Sequence, residues 1–150
     1  VKYLKHWYEI YSSQPFWNAF PRKPQVLDIN FNGDNYIIIN TLNIQDQGCL
    51  IKNTVNPHEE VDLLNEYLLK NKEVNIVIYG MNATDESIYK KFDQLVKLGF
   101  YNVFVYLGGL FEWLLLQEVY GEEDFPTTKK MLDLLKFKGK KIFGIKLIRN

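Results

Sequence analysis

The stretch Tyr79-Gly80-Met81-Asn82-Ala83-Thr84-Asp85-Glu86-Ser87 follows a run of β-branched residues and leads into a helical pattern. In an open parallel sheet that position, beyond the carboxyl end of a strand, is where chemistry gathers. The stretch offers two hydroxyls, Thr84 and Ser87, and two carboxylates, Asp85 and Glu86. A hydroxyl nucleophile needs a general base within reach, and His6 and His58, the only histidines, are remote in sequence. Asp85 and Glu86 are expected to serve as acids at a helix N-terminus, where they satisfy the dipole and repel anions. They lack a third ligand for a metal site. His58 follows Pro57 and is expected to be solvated in the first turn of a helix. The one thiol, Cys49, is expected at the start of a strand or loop, with nothing to lower its pKa, and reads as a small buried hydrophobe.

Composition narrows the classes. A hydrophobic fraction of 47% in 150 residues is enough to build a layered core, which excludes a disordered chain. Eighteen basic residues balance eighteen acidic ones, so no net field holds DNA or an anionic membrane. Only Arg22 and Arg149 are arginines, and bidentate oxyanion recognition relies on arginine. One cysteine rules out an internal disulfide, and no Cys/His set has zinc-site spacing. No apolar run, Trp113 to Leu116 included, is long enough for a bilayer span, and no cleavable leader is visible. The expectation is a cytoplasmic, intracellular domain without a cofactor or metal. The lysine runs, Lys129-Lys130 and Lys136 to Lys141, read as solvated faces, with a weak nucleic-acid or lipid contact as the alternative.

The elements that must position the loop follow from periodicity. Residues 1–13 place apolar groups at helical spacing and predict a short amphipathic helix. Gln14 to Pro24, with three prolines and three aromatics, predicts an irregular wrap over the sheet. Val26 to Phe31 and Tyr36 to Asn40 flank Asn32-Gly33-Asp34-Asn35, a hairpin or tight-loop signal. Cys49 to Ile51 is a weaker strand candidate. Pro57 to Asn71 predicts a helix with Val61, Leu64, Leu68 and Leu69 on one face. Then come a buried strand at Asn75 to Tyr79, a helix at Asp85 to Leu98 stopped by Gly99, a strand at Asn102 to Tyr106 and a helix at Leu110 to Tyr120 stopped by Gly121. Trp113, Leu114, Leu116 and Val119 are expected to pack in the core. A helix at Thr127 to Phe137 and an edge strand at Lys141 to Ile148 complete the reading. Alternating strands and helices imply a single α/β domain over 1–150, with a mainly parallel sheet between helices on both faces. Residues 1–25 act as an N-terminal cover and 127–150 as a C-terminal extension.

Three ordered motifs carry a resemblance. A buried strand ending at Tyr79-Gly80 is followed by the loop and a helix closing in Leu98-Gly99-Phe100-Tyr101-Asn102-Val103, then by Gly108-Gly109-Leu110-Phe111-Glu112-Trp113. Upstream, Tyr36 to Leu42 and Gly48 to Pro57 add a first core strand and a segment closing in proline. Over residues 36–113 the chain resembles the rhodanese homology domain, which implies a three-layer rhodanese-like fold. Active members carry sulfur as a persulfide on a cysteine that heads the loop. The resemblance sets Gly80 at that position, Asn40 and Leu42 where Asp and Arg are usual, and Cys49 where His is usual. The loop has no arginine, and the spacing to Gly99 is longer than in short-loop sulfurtransferases.

The resemblance therefore implies a degenerate active-site loop over Gly80, Met81, Asn82, Ala83, Thr84, Asp85, Glu86 and Ser87, supported by Gly108, Gly109 and Trp113. The expected function is a non-catalytic module that binds a protein or peptide partner, with no specific nucleic-acid target. Two alternatives stand beside it: a sulfurtransferase or related thiol enzyme using Cys49, and binding of a small ligand or cation in the emptied loop. The aromatic segment with Trp7, Tyr8, Tyr11, Phe16, Trp17 and Phe20 becomes a partner surface if it is not buried as a cover.

Overall fold

The computed structural model describes residues 36–140 and the strand Ile10–Ser12. Four strands, β1 (Ile10–Ser12), β2 (Tyr36–Asn40), β3 (Asn75–Tyr79) and β4 (Asn102–Tyr106), form one sheet in the order β1-β4-β3-β2. β2, β3 and β4 are parallel, with Tyr36 opposite Asn75 and Asn75 opposite Asn102, and β1 closes the β4 edge antiparallel. Helices α1 (Glu60–Lys70), α2 (Ser87–Leu98) and α3 (Gly109–Tyr120) follow β2, β3 and β4 respectively.

The β-branched runs 37–39 and 76–78 suit strands covered on both faces, and period-two alternation divides them between two cores. Ile37, Ile39, Ile76, Ile78, Val103 and Val105 pack with Leu64 of α1 and with Phe92 and Leu95 of α2. Ile38, Val77, Tyr79 and Tyr106 pack on the opposite face with Leu110, Trp113 and Leu114 of α3. Two successive crossovers that step the same way across the sheet put α1 and α2 on one face, as right-handed connections require. Gly99 ends α2 at φ 109°, a conformation that favours glycine, with Phe100 N–H bonded to the Leu95 carbonyl at 3.3 Å.

Several expectations need correction. Ile10–Ser12 is a strand rather than part of a helix, because pairing with Phe104–Tyr106 satisfies backbone groups that an open β4 edge leaves unpaired. The rest of 1–13, the wrap at 14–24, the strand at 26–31, the turn at 32–35 and the edge strand at 141–148 lie outside the described residues. Cys49 to Ile51 forms only an isolated bridge, Ile51 to Thr127. That bridge, with Lys52 N–H to the Pro126 carbonyl and Thr128 N–H to the Leu50 carbonyl, holds 126–128 extended. Only Leu134–Phe137 coils afterwards, as one 3-10 turn, so the helix expected at Thr127 to Phe137 is absent. Val61, Leu69 and Val119 are exposed; Leu64, Trp113 and Leu114 are buried.

Candidate functional site

The loops after β2 and β3 meet the C-terminal segment at a cleft of about 710 Å³ beyond the carboxyl ends of the parallel strands. One wall is the loop Met81 to Ser87, another is Thr41, Leu42 and Asn43, and the third carries Lys136, Lys138 and Lys140.

The first wall starts from Tyr79. Its hydroxyl accepts from Ile51 N–H at 3.2 Å and lies 2.8 Å from Thr54 Oγ1, which fixes the end of β3. Burial pushes this phenol well above its ordinary pKa of 10.0. Beyond it, the Gly80 carbonyl accepts from Leu110 N–H and the Met81 carbonyl from Phe111 N–H, both at 2.9 Å. The free N–H groups at the start of α3 therefore end on the loop backbone. Such an approach excludes a side chain at Gly109: its φ is 66°, and a Cβ there would stand 2.6 Å from the Gly80 oxygen. Glu112 folds over Gly108.

Asp85 closes the loop on itself. Its Oδ2 accepts from Met81 N–H at 2.9 Å, and its Oδ1 accepts from Ser87 N–H at 3.0 Å and from the Ser87 hydroxyl at 2.6 Å. A Cβ on Gly80 would lie 2.5 Å from Asp85 Oδ2 and 3.0 Å from Ile88 Cγ2. The carboxylate thus fills the space where a side chain at 80 would begin. Ser87 Oγ also lies 2.7 Å from Thr41 Oγ1, which ties the first two walls together. Ala83 and Glu86 are exposed.

Asn82 is the buried polar group of the loop. Its Oδ1 accepts from Thr84 N–H at 3.0 Å and from the Thr84 hydroxyl at 2.7 Å. Its Nδ2 donates to the Phe137 carbonyl at 3.0 Å and to the Lys138 carbonyl at 3.2 Å. Lys140 N–H in turn donates to Thr84 Oγ1 at 3.1 Å. After β2, Asn40 Oδ1 accepts from Leu42 N–H at 3.0 Å and from Gln47 Nε2 at 2.7 Å, and Asn40 Nδ2 donates to Gln47 Oε1.

Other residues singled out from the sequence are not brought to the cleft. Trp113 is 1% exposed, meets Tyr106 and Phe125 edge-on, and donates from Nε1 to the Pro126 carbonyl. Cys49 is also 1% exposed, with Sγ 3.1 Å from the Lys129 carbonyl oxygen; burial pushes its thiol above the ordinary value. His58 is exposed ahead of α1, and His6 lies outside the described residues. Among the described residues no cluster of three or more His, Cys, Asp or Glu is placed to hold a metal ion. No helix among them is long and apolar enough to cross a membrane.

Sequence reasoning missed the third wall. Lys136, Lys138 and Lys140 read as a solvated run, yet Phe137 between them is buried in the α3-side core. The alternation Lys-Phe-Lys-Gly-Lys was the available signal, since one buried aromatic fixes which way its neighbours turn.

Comparison with known proteins bears on the whole arrangement. A family model, Rhodanese-like domain, matches residues 17–116, beginning upstream of the motifs read in the sequence. No curated protein matches the chain. Among solved structures, the Rhodanese_3 like domain from an Anabaena sp. protein is 24% identical, covering 63% of this chain and 99% of that one at a TM-score of 0.45. A second structure of that Anabaena sp. protein is 22% identical, covering 68% and 73% at a TM-score of 0.47. The family match takes in two thirds of the sequence, including β2 to β4 and the loop between Tyr79 and Ser87, so the chain belongs to the rhodanese-like domain family.

Proposed function

We propose that this rhodanese-like domain is non-catalytic and acts as a recognition or regulatory module for a protein or peptide partner. Active members carry sulfur on a cysteine at the head of the loop, and the sequence resemblance puts Gly80 there. The observation that carries the reading is the Asp85 carboxylate. It takes the Met81 N–H and stands 2.5 Å from where a Cβ on residue 80 would be, so the loop holds an internal anion in place of an incoming one.

The two alternatives are less well supported. Cys49 is buried, outside the cleft and raised in pKa, which disfavours a thiolate nucleophile. Asp85 spends its oxygens on Met81 and Ser87, which leaves a cation little to bind.

The test is sulfur transfer from thiosulfate to cyanide by the native chain and by Gly80→Cys. Neither is expected to form thiocyanate above the blank. The new side chain must push Asp85 or its own backbone aside, a strain of about 1–3 kcal/mol. Full turnover by Gly80→Cys would reduce the difference from an enzyme to one missing sulfur. Turnover by the native chain that disappears on Cys49→Ser would overturn the reading altogether.

A further inference from the structure

The lysine wall of the cleft is built rather than incidental. Phe137, 1% exposed, anchors the segment in the core, and the Asn82 amide holds the carbonyls of residues 137 and 138. Lys140 N–H is pinned to Thr84. With the backbone held at these points, Lys136, Lys138 and Lys140 all border the cleft. Lys136 is partly engaged, 3.6 Å from Asp46 and over the Phe137 ring. Among the described residues Lys138 and Lys140 have no ion-pair partner.

The geometry selects among anions. Lys138 and Lys140 sit two residues apart beyond the 3-10 turn, with Lys138 at φ −56° and ψ 148°, so they set two separate charges along the chain. Ammonium groups on flexible stems act as separate point charges, so two of them suit two anionic groups spaced along a ligand better than one anion needing a fork. Leu42 and Met81 add apolar surface to the same cleft, whose volume is in the range of ligand-binding clefts. Glu86 stands exposed on the facing wall. A uniformly charged phosphate backbone meets that carboxylate in every register, whereas a peptide places an uncharged residue there.

We infer that the cleft docks an extended segment of a protein partner carrying carboxylates at alternate positions, paired with Lys138 and Lys140, and an apolar residue against Leu42 and Met81. This rests on the non-catalytic reading, since it gives the cleft to a peptide rather than to a sulfur donor.

The test uses the full chain and a fluorescein-labelled peptide of about ten residues alternating Glu with Leu or Ser, read by anisotropy and by amide shift mapping. Binding is expected to shift amides of 41–43, 81–87 and 136–140. It should weaken several-fold between about 50 and 300 mM salt. Lys138→Glu/Lys140→Glu should weaken it at least ~10-fold, as should replacing every peptide Glu by Gln. Glu86→Gln should tighten it. All three substituted positions are exposed, so folding is not at stake. Equal binding of the Gln peptide, an unchanged affinity in the double variant, shifts elsewhere, or no binding up to about millimolar peptide would overturn the inference. So would tighter binding of a single-stranded oligonucleotide at the same amides. Each of those results, with thiocyanate formation still at the blank, sinks the peptide alone; turnover of thiosulfate by the native chain sinks the non-catalytic reading instead.

Discussion

Cys49 lies in the core with Ile38, Tyr79 and Trp113, its Sγ 3.1 Å from the Lys129 carbonyl oxygen. Burial disfavours the thiolate and raises the pKa, while the contact with Lys129 offsets this in part. A raised pKa means that less thiolate is present at neutral pH than for a free thiol, and reactivity grows only as pH climbs through the higher value. Iodoacetamide at neutral pH is therefore expected to label Cys49 at least ~10-fold more slowly than free cysteine. A rate equal to the free thiol would show that the core around residue 49 opens readily. At Gly80 the same scale of reasoning applies to a missing side chain. Its identity was plain in the sequence, but the occupation of its space by Asp85 depends on a turn that brings residue 85 back over residue 80.

At the scale of elements, the loop between β3 and α2 is held from two sides. The start of α3 donates N–H bonds to the carbonyls of Gly80 and Met81 from below, and Asn82 ties the loop to the 3-10 turn Leu134–Phe137 beside it. Asn82→Ala removes the two donations to 137 and 138 and the acceptor for Thr84. It is expected to cost about 2–3 kcal/mol, read as a lower urea midpoint. It should also speed tryptic cleavage after Lys136, Lys138 or Lys140, because the segment loses its anchor on the loop. Unchanged cleavage would show that Phe137 alone holds the segment. The strands β2 to β4 and the helices α1 to α3 were legible in the periodicity, with ends displaced by at most three residues. The C-terminal helix was not, because its apolar spacing suited a helix while the bridge to Ile51 drew residues 126–128 into extended pairing. Leu132 and Leu135, within the range expected to be helical, are 90% and 66% exposed.

Across the molecule, stability is unevenly spread. β3 and β4 each have strand neighbours on both sides and helices over both faces, whereas 129–140 contributes few backbone hydrogen bonds. Amide exchange is expected to be slowest at 76–79 and 103–106 and to report global unfolding there. Residues 129–140 should open at a cost of about 1–3 kcal/mol, well below the 5–15 kcal/mol typical of a whole domain. Equal protection in both regions would mean that the lysine wall is part of the cooperative core. The cleft would then be preformed for a ligand rather than adjustable to it.

By itself, the sequence determined the α/β class, the parallel β2-β3-β4 frame, the stops at Gly99 and Gly121, and the loop on which the rhodanese-like resemblance rests. Those features are local: period-two and period-3.6 patterns and glycine positions act within a few residues. Tertiary structure alone decided that Ile10–Ser12 joins the sheet, that Asp85 fills the space at Gly80, and that Lys136, Lys138 and Lys140 face the same cleft as Ser87. Each of these depends on partners distant in sequence or on a turn whose direction side-chain types do not specify, and hydrogen bonds such as those of Asn82 to residues 137 and 138 are formed only when the chain has folded.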